Sequence, residues 1–184
     1  MKNELLDTDV DVIQKCINGD RKAQFILYHR YATAMLNVAF RILRREEEAK
    51  DVLQVSFLKA FRNLDLLKNK KDFGGWLKKI VINHSINQLK RQGWKWIELT
   101  DEVLKDGMET ELTVLHPLNI EEAKKALLQL PTGYRTVLSL YLIEGYDHEE
   151  IAQILNISVS TSLSQFSRGK KKLQQIVLKN RQNV

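Results

Sequence analysis

An all-α fold, with two small helical domains joined by a flexible linker, is predicted for this chain of 184 residues. Apolar residues recur at three- and four-residue intervals through both halves, and no segment alternates as a half-buried strand would. That periodicity fades over residues 92–119, where two glycines and a proline interrupt an acidic stretch. We therefore predict one domain at residues 1–91, a linker at 92–119 and a second domain at 120–184.

Turn residues and caps define the first two helices. The first is predicted from Val10 to Ile17, and Asn18-Gly19 closes it because glycine accepts the left-handed conformation that often ends a helix. Asp20 is placed to cap the second helix. The expected apolar stripe of the second helix comprises Phe25, Tyr28, Ala32, Leu36, Ala39 and Leu43.

Charge and apolar spacing define the third and fourth helices. Three glutamates, Glu46–Glu48, are predicted to form the first turn of the third helix, where negative charge favours the helix dipole. Its expected inner face comprises Ala49, Val52, Leu53, Phe57, Ala60, Phe61 and Leu64. After a polar loop at 65–72, Phe73 leads into the fourth helix, in which Trp76 lies on the apolar stripe as a core anchor.

The second domain is predicted to contain two ordinary helices followed by a helix-turn-helix. The first resumes the helical pattern at Ile120 and stops at Leu130-Pro131, because proline cannot continue a helix. A strongly apolar helix follows from Arg135 to Ile143, and Glu144-Gly145 ends it.

The helix-turn-helix itself is predicted from a short helix, a tight turn and a longer helix. Ile151, Ala152 and Leu155 share one side of the short helix, and Asn156 suits a left-handed cap. Ser158 or Ser160 can accept a hydrogen bond from the free amides of the final helix and so start it. We expect this final helix to pack through Leu163, Phe166 and Leu173.

The remaining side chains of the final helix are candidates for DNA contact. Hydroxyl and amide groups near its start can face base edges, and cations further along can face phosphates. These candidates are Ser160, Thr161, Ser164, Gln165, Arg168, Lys171 and Lys172. Ser162 stands where an apolar residue is usual, so either its hydroxyl bonds back to its own helix or the helix is slightly rotated. An ordinary helical hairpin with a solvated basic face remains an alternative.

Charge is distributed unevenly along the chain. Lys and Arg number 29 against 23 Asp and Glu, a formal net charge of +6 that favours polyanions. Residues 76–95 and the chain from Leu163 onward carry basic residues and no acid, whereas Lys105 is the single base among the acids of residues 97–122. Two basic modules are thus separated by an acidic segment.

Several function classes have no support in the composition. Cys16 has no cysteine partner and is expected to be a small core residue, and four scattered histidines lack the spacing of metal ligands. We therefore expect no metal, no cofactor and no small-molecule substrate. No apolar run approaches membrane-spanning length and no signal-peptide core is present, so we expect a cytosolic protein without direct membrane insertion.

Motifs in both domains resemble those of bacterial sigma factors of the extracytoplasmic-function group, small two-domain initiation factors of RNA polymerase. The similarity covers Val10 to Arg91 and Ile120 to Leu178. In the first domain it rests on Ala39–Arg44, Glu48–Leu64 and Phe73–Asn83. In the second it rests on Ala126–Pro131, Arg135–Leu138, Glu144-Gly145, Ile151-Ala152, Ile157-Ser158 and Thr161. The order and spacing of these motifs are far more specific than any one of them.

The resemblance implies partners for each module. Asp51, Gln54 and Phe57 match the segment that contacts the clamp of core RNA polymerase, although Lys50 and Val55 stand where acids are usual. The segment at residues 76–91 matches the part that handles the minus-ten promoter element. Its candidate DNA contacts are Lys78, Lys79, Asn83, Lys90 and Arg91. The helix-turn-helix would bind minus-thirty-five duplex.

The resemblance further implies regulation. A free sigma factor would be active constitutively, so we expect an anti-sigma protein, anchored in a membrane, that wedges between the two domains. Two other classes stay open: a DNA-binding repressor or activator that never touches polymerase, and a nucleic-acid enzyme. The first leaves the first domain unexplained. The second is disfavoured because the acid clusters lie at predicted helix starts, where they need no catalytic role.

Overall fold

The computed structural model describes residues 8–94 and 120–182. Within these two ranges every regular element is helical, which confirms the predicted all-α class. The α-helices are α1 Asp9–Ile17, α2 Arg21–Leu43, α3 Glu46–Arg62, α4 Phe73–Arg91, α5 Ile120–Gln129, α6 Thr132–Leu142, α7 His148–Leu155 and α8 Val159–Gln182. Single 3-10 turns at Leu64–Leu66 and Lys70–Asp72 connect α3 to α4.

The chain divides into two compact units, Met1–Gln92 and Gly93–Val184. Nearly all of the predicted linker, from residue 95 to residue 119, lies outside the described residues. In the ranges that are described, no helix is both long enough and apolar enough to cross a membrane.

Local signals start the helices of the first unit, and those at α2 and α3 are the ones that the sequence predicts. Thr8 and Asp11 form a capping box at α1, and the Asp20 carboxylate accepts hydrogen bonds from the amides of Lys22 and Ala23 at α2. The predicted glutamates occupy the first turn of α3. Each of these devices satisfies amides, or complements the dipole, at a helix start.

The core of the first unit forms where α2, α3 and α4 pack against one another and α1 packs on α2. Its largest fully buried side chains include Ile13, Leu27, Ile42, Leu64, Phe73, Leu77 and Ile82. The prediction that Phe25 belongs to this core is wrong, because it is exposed. Ala23 and Leu27 are buried, and a residue two positions from each lies on the opposite side of the helix.

The second unit is built around α8, against which α5, α6 and α7 all pack. Leu127, Leu130 and Leu138 form the centre of its core. Phe166 and Leu173 pack on this cluster from α8, as predicted. Leu163 does not, and that prediction is wrong: it follows the buried Ser162 by one residue, which turns its side chain about 100° away from the packed face.

Candidate nucleic-acid interface

The corner between α7 and α8 has the geometry of a helix-turn-helix. Asp147 and Glu150 form a capping box at the start of α7. Asn156 ends that helix in the left-handed conformation, with φ of 56°, as its short polar side chain predicts. The Ser158 hydroxyl then accepts a hydrogen bond from the Thr161 amide at 3.0 Å, which starts α8.

A hydrogen bond between side chains fixes the two helices of this corner to each other. Ser162 Oγ lies 2.8 Å from Nδ1 of His148 and is fully buried. The Ser162 hydroxyl therefore bonds across to α7, an arrangement that neither sequence-based alternative includes. The His148 ring also stacks on Tyr141 and meets the edge of Phe166. Burial lowers the pKa of His148 below the ordinary histidine value, and the Asp147 carboxylate opposes this shift.

Gly169 sets how closely α8 crosses α6. A β-carbon added at this position would lie 3.1 Å from Cβ of Tyr134 and closer still to the Leu138 side chain. A larger residue here would have to move the end of the Leu138 side chain and shift Tyr134 by a few tenths of an ångström. Its signal in the sequence is a glycine inside a helical pattern, which often marks a packing requirement.

Three predicted base-reading residues are turned inward, so the expectation that they face outward is wrong. Gln165 exposes only 7% of its surface, because it lies three residues after Ser162 and four before Gly169 on the packed side of α8. Thr161 is buried with its hydroxyl 2.8 Å from that of Ser158. Ser164 is buried and donates to the Thr161 carbonyl at 3.0 Å.

The outward face of α8 differs from the predicted one at its start and agrees at its end. Val159, Ser160 and Leu163 are exposed there, so two of the three carry no hydrogen-bonding group. Further along, Arg168 and Lys171 are half-buried and Lys172 is exposed. The first turns of α8 therefore expose mainly apolar side chains, and its later turns carry the basic ones.

A second polar face runs along α4 in the first unit. Lys79, Asn83 and Lys90 are exposed at spacings of four and seven residues, which places them on one stripe. Arg91 is exposed beside them and Lys78 is half-buried. These are the residues predicted to handle a promoter strand, and the fold presents four of the five to solvent.

A serine–histidine pair joins α4 to α3, much as another joins α7 to α8. The Ser56 hydroxyl donates to the Val52 carbonyl at 2.6 Å and lies 3.0 Å from Nδ1 of His84. Burial lowers the pKa of His84, and the cations of Lys59 and Arg91 lower it further. This pair orients the middle of α4 against the core.

The predicted polymerase-contact face lies on α3. Asp51 and Gln54 are exposed, three residues apart on one side of the helix. Phe57 is buried between the rings of Tyr28 and Phe61, at centroid distances of 4.7 and 5.7 Å, so its assignment as a surface contact is wrong. It belongs to the core stripe of α3.

Two exposed apolar residues extend the α3 face and were not among the predicted contacts. Val55 and Leu58 are exposed, and Leu58 lies four residues after Gln54 while Val55 lies four after Asp51 along the same helix. A mixed surface of this kind suits a protein partner, since apolar side chains supply most of the contact area at such interfaces.

The described residues contain no group of three histidine, cysteine, aspartate or glutamate side chains that could hold a metal ion. Cys16 is buried, as predicted for a core residue, and burial together with Asp20 raises the pKa of its thiol to about 11. A thiol with so high a pKa is almost entirely protonated near neutral pH and is a poor nucleophile.

Comparison with known families matches both units. Residues 27–95 match the model for "Sigma-70 region 2", and residues 120–173 match that for "Sigma-70, region 4". The chain belongs to the extracytoplasmic-function group of the sigma-70 family. As a sigma factor it acts with RNA polymerase in promoter-specific initiation of transcription. This assignment rests on both units and not on the helix-turn-helix alone, because each unit matches a different region of the family.

Relatives of similar length support the assignment. The sigma factor is 27% identical to the ECF RNA polymerase sigma factor SigW of Bacillus subtilis, over 88% of this chain and 92% of that protein. It is 28% identical to the RNA polymerase sigma-H factor of Pseudomonas aeruginosa, over 89% and 91%.

Two solved structures share the fold. The sigma factor RpoE from Bartonella quintana, solved in complex with the anti-sigma factor NepR, is 25% identical with a TM-score of 0.53, over 82% of this chain and 94% of that one. CnrH, solved in complex with the cytosolic domain of CnrY, is 24% identical with a TM-score of 0.52, over 92% and 96%.

Proposed function

We propose that the two units contact separate parts of a promoter and that α3 carries the polymerase contact. The observation that carries this proposal is the presence of two separate surfaces with basic side chains, one on α4 and one on α8, in units that match different regions of the family. In this assignment the factor binds and positions nucleic acid and is not an enzyme. Its place of action is the cytoplasm, where its polymerase works.

The α4 stripe is assigned to the opened minus-ten strand. Lys79 and Asn83 can contact bases or sugars of a single strand, and Lys90 and Arg91 neutralise phosphates, with Lys78 contributing from the edge of the stripe. Opening a duplex costs a few kcal/mol for each unstacked step. Capture of unpaired bases and phosphate neutralisation together would offset that cost without ATP.

The α8 surface is assigned to minus-thirty-five duplex. Ser160 lies at the helix start, which enters the major groove in a helix-turn-helix. Arg168, Lys171 and Lys172 lie on later turns, where phosphate contacts are expected. Thr161, Ser164 and Gln165 are excluded from this set because they are buried.

A protein inhibitor is the third proposed partner. The relative from Bartonella quintana was solved with an anti-sigma factor, which supports an equivalent partner here. We place that partner at a membrane, where an inhibitor would couple release of this factor to a signal from outside. Recovery of polymerase but never of a membrane protein, from both resting and induced cells, would contradict this placement.

The polymerase contact can be tested with the double variant Asp51→Lys and Gln54→Ala. Both residues are exposed and lie off the buried stripe of α3, so the free energy of unfolding should change by less than about 0.5 kcal/mol. Association with core RNA polymerase and promoter-dependent transcription should be abolished, because the substitution reverses a charge at the centre of the contact. Pull-down, thermal unfolding and transcription are measured in parallel.

A matched control exists in the second unit. Glu149 and Gln153 are exposed on α7, and Glu149→Lys with Gln153→Ala makes the same changes of charge and nearly the same changes of size. This variant should bind core polymerase normally. If the α3 variant still supports full transcription, the wrong surface has been assigned, and if it unfolds, the two residues are structural.

A further inference from the structure

Two apolar side chains stand at the start of the outward face of α8. Leu163 exposes 49% of its surface and Val159 exposes 41%. They are four residues apart and therefore lie on adjacent turns of the helix. Single exposed apolar residues are common on protein surfaces. These two are distinguished by their position, since the start of the second helix is the part that faces base edges in a helix-turn-helix.

Most polar side chains near the start of α8 are not available to contact base edges. Gln165 lies on the packed side of α8, and the hydroxyls of Thr161 and Ser164 are used in hydrogen bonds within the helix start. Ser160 keeps an exposed hydroxyl, which lies 2.8 Å from that of Ser158. Direct reading by hydrogen bonds is therefore nearly absent from the first two turns.

Chemistry then limits what the exposed apolar groups can recognise. Leucine and valine side chains have no donor or acceptor, so they cannot distinguish bases by hydrogen bonding. The only apolar group at a base edge in the major groove is the C5 methyl group of thymine. The basic residues Arg168, Lys171 and Lys172 follow on later turns of the same helix, and this charge suits the phosphates of a duplex rather than an apolar protein surface.

We propose that Leu163, with Val159 beside it, reads thymine methyl groups in the upstream promoter element. This inference rests on the proposed function, in which α8 contacts minus-thirty-five duplex. It adds that recognition by this helix is mainly apolar, and that it selects thymine at one or two fixed positions.

The first test measures base preference with the full chain assembled with core RNA polymerase. Templates are randomised upstream of barcoded transcripts, and transcript sequencing gives the preference at each position. Leu163→Ala should lower the preference for thymine at one or two positions by a factor of about four, the value of one buried methyl group. Thermal unfolding checks that the variant is folded.

Leu178→Ala is the matched control. Leu178 is 50% exposed on the same helix and lies 15 residues, about 22 Å, beyond Leu163. Its replacement should leave every base preference unchanged. An equal loss of thymine preference in both variants would overturn the proposal, because the effect would then belong to the helix as a whole.

The second test removes only the methyl group. The preferred thymines are replaced one at a time by uracil in otherwise identical duplex templates. The unchanged factor should transcribe the uracil templates about fourfold less than the thymine templates. The Leu163→Ala variant should transcribe the two kinds of template equally. Equal sensitivity of the two proteins to uracil would overturn the proposal.

A further variant separates failure of this inference from failure of the proposed function. Lys171→Ala with Lys172→Ala should reduce the slope of promoter binding against salt by about one for each phosphate that is no longer neutralised. An unchanged slope together with no upstream base preference would show that α8 does not contact the duplex, and the proposed function of α8 would fail. A reduced slope, with the thymine preference intact in Leu163→Ala, would overturn only the proposal that Leu163 reads thymine methyl groups. Weaker assembly with core polymerase, at unchanged base preference, would show that Leu163 contacts protein and would also overturn it.

Discussion

The two units place polar side chains differently. Among the described residues, the first unit buries two polar side chains, Ser56 and Ser85, each of which donates to the carbonyl four residues earlier in its own helix. The second unit buries seven: Arg135, Thr136, Ser139, Thr161, Ser162, Ser164 and Gln165. A polar residue in the sequence is therefore a good predictor of an exposed position in the first unit and a poor one in the second.

Helix length gives a physical reason for this difference. Of the four helices described in the second unit, α5, α6 and α7 have 10, 11 and 8 residues, so each presents few apolar side chains to the core. Hydrogen bonds then supply part of the connection between elements. The buried Arg135 guanidinium, for example, donates to the Leu130 carbonyl at 2.7 Å and so ties α6 to the end of α5. Close packing and helix caps should consequently be most critical in the second unit.

The largest effect on stability is expected from Gly169→Ala. The new β-carbon would press against Tyr134 and Leu138. Overpacking of this kind costs about 1–3 kcal/mol and the helix gains roughly 1 kcal/mol in propensity, so the net destabilisation reaches about 2 kcal/mol. Amide hydrogen exchange, read separately for peptides of each unit, should show reduced protection in α6 and α8 and no change in the first unit.

Gly75→Ala is the matched control for this comparison. Gly75 lies in the first turn of α4, and nothing stands within 4 Å of an added β-carbon. This substitution should stabilise the first unit by at most roughly 0.5–1 kcal/mol, the propensity difference between alanine and glycine in the middle of a helix. Equal changes in stability for Gly169→Ala and Gly75→Ala would contradict the comparison, because tight packing would then not distinguish the two units.

A smaller effect is expected from Asp147→Ala at the start of α7. Removal of a side-chain cap costs about 1 kcal/mol, and this helix of 8 residues holds Ile151 and Leu155 in the core. Thermal unfolding and amide exchange in the second unit measure the change. Asp147→Asn should retain most of the stability, because asparagine caps about as well as aspartate. A full loss of stability in the asparagine variant would point to the charge rather than to the hydrogen bond.

The smallest effect concerns pH, and the two units should respond in the same direction. The pKa values of His84 and His148 are lowered in the folded chain, first of all by burial. Below about pH 6.5, the ordinary histidine value, the unfolded state binds more protons than the folded state. Stability is therefore complete at higher pH and declines as the pH falls from there toward the lowered values.

Single histidine variants assign this decline to each unit. Unfolding and exchange are measured between about pH 5 and 7.5. His84→Gln should flatten the dependence in the first unit and His148→Gln in the second. The cations of Lys59 and Arg91 add to the lowering of the pKa at His84, whereas the Asp147 carboxylate opposes it at His148. Stability that rises on acidification would contradict the assignment of these pKa shifts.

Features that depend on only a few neighbouring residues could be predicted from the sequence. The cap at Asp20, the acidic first turn at Glu46–Glu48 and the left-handed Asn156 all depend on the geometry of one helix end. The apolar stripes of α3 and α4, and the all-α class, follow from periodicity alone. The exposed positions of Asp51, Gln54 and Lys79 could be predicted for the same reason, since each lies off a clear stripe.

Features that depend on how one helix rests on another were not readable. Phe57 satisfies both a family motif and a core stripe, and its packing on Tyr28 confirms the core position that periodicity predicts and contradicts the surface contact carried over from the motif. On α8 the assumed stripe included Leu163, which is exposed, and left out Gln165, which is buried. An error of one residue in choosing the packed face moves every side chain by about 100° around the helix.

The sequence by itself determined that this protein is helical, that it has two units, and which motifs place it among sigma factors. Those properties come from periodicity, caps and short motifs, whose causes are local in the chain. Tertiary structure decided which groups on α8 face outward, because that depends on Ser162 meeting His148, 14 residues away, and on Gly169 admitting α6 at close range. Contacts between distant residues select the packed face of a helix, and the side chains that remain available to a partner are those left on the opposite face.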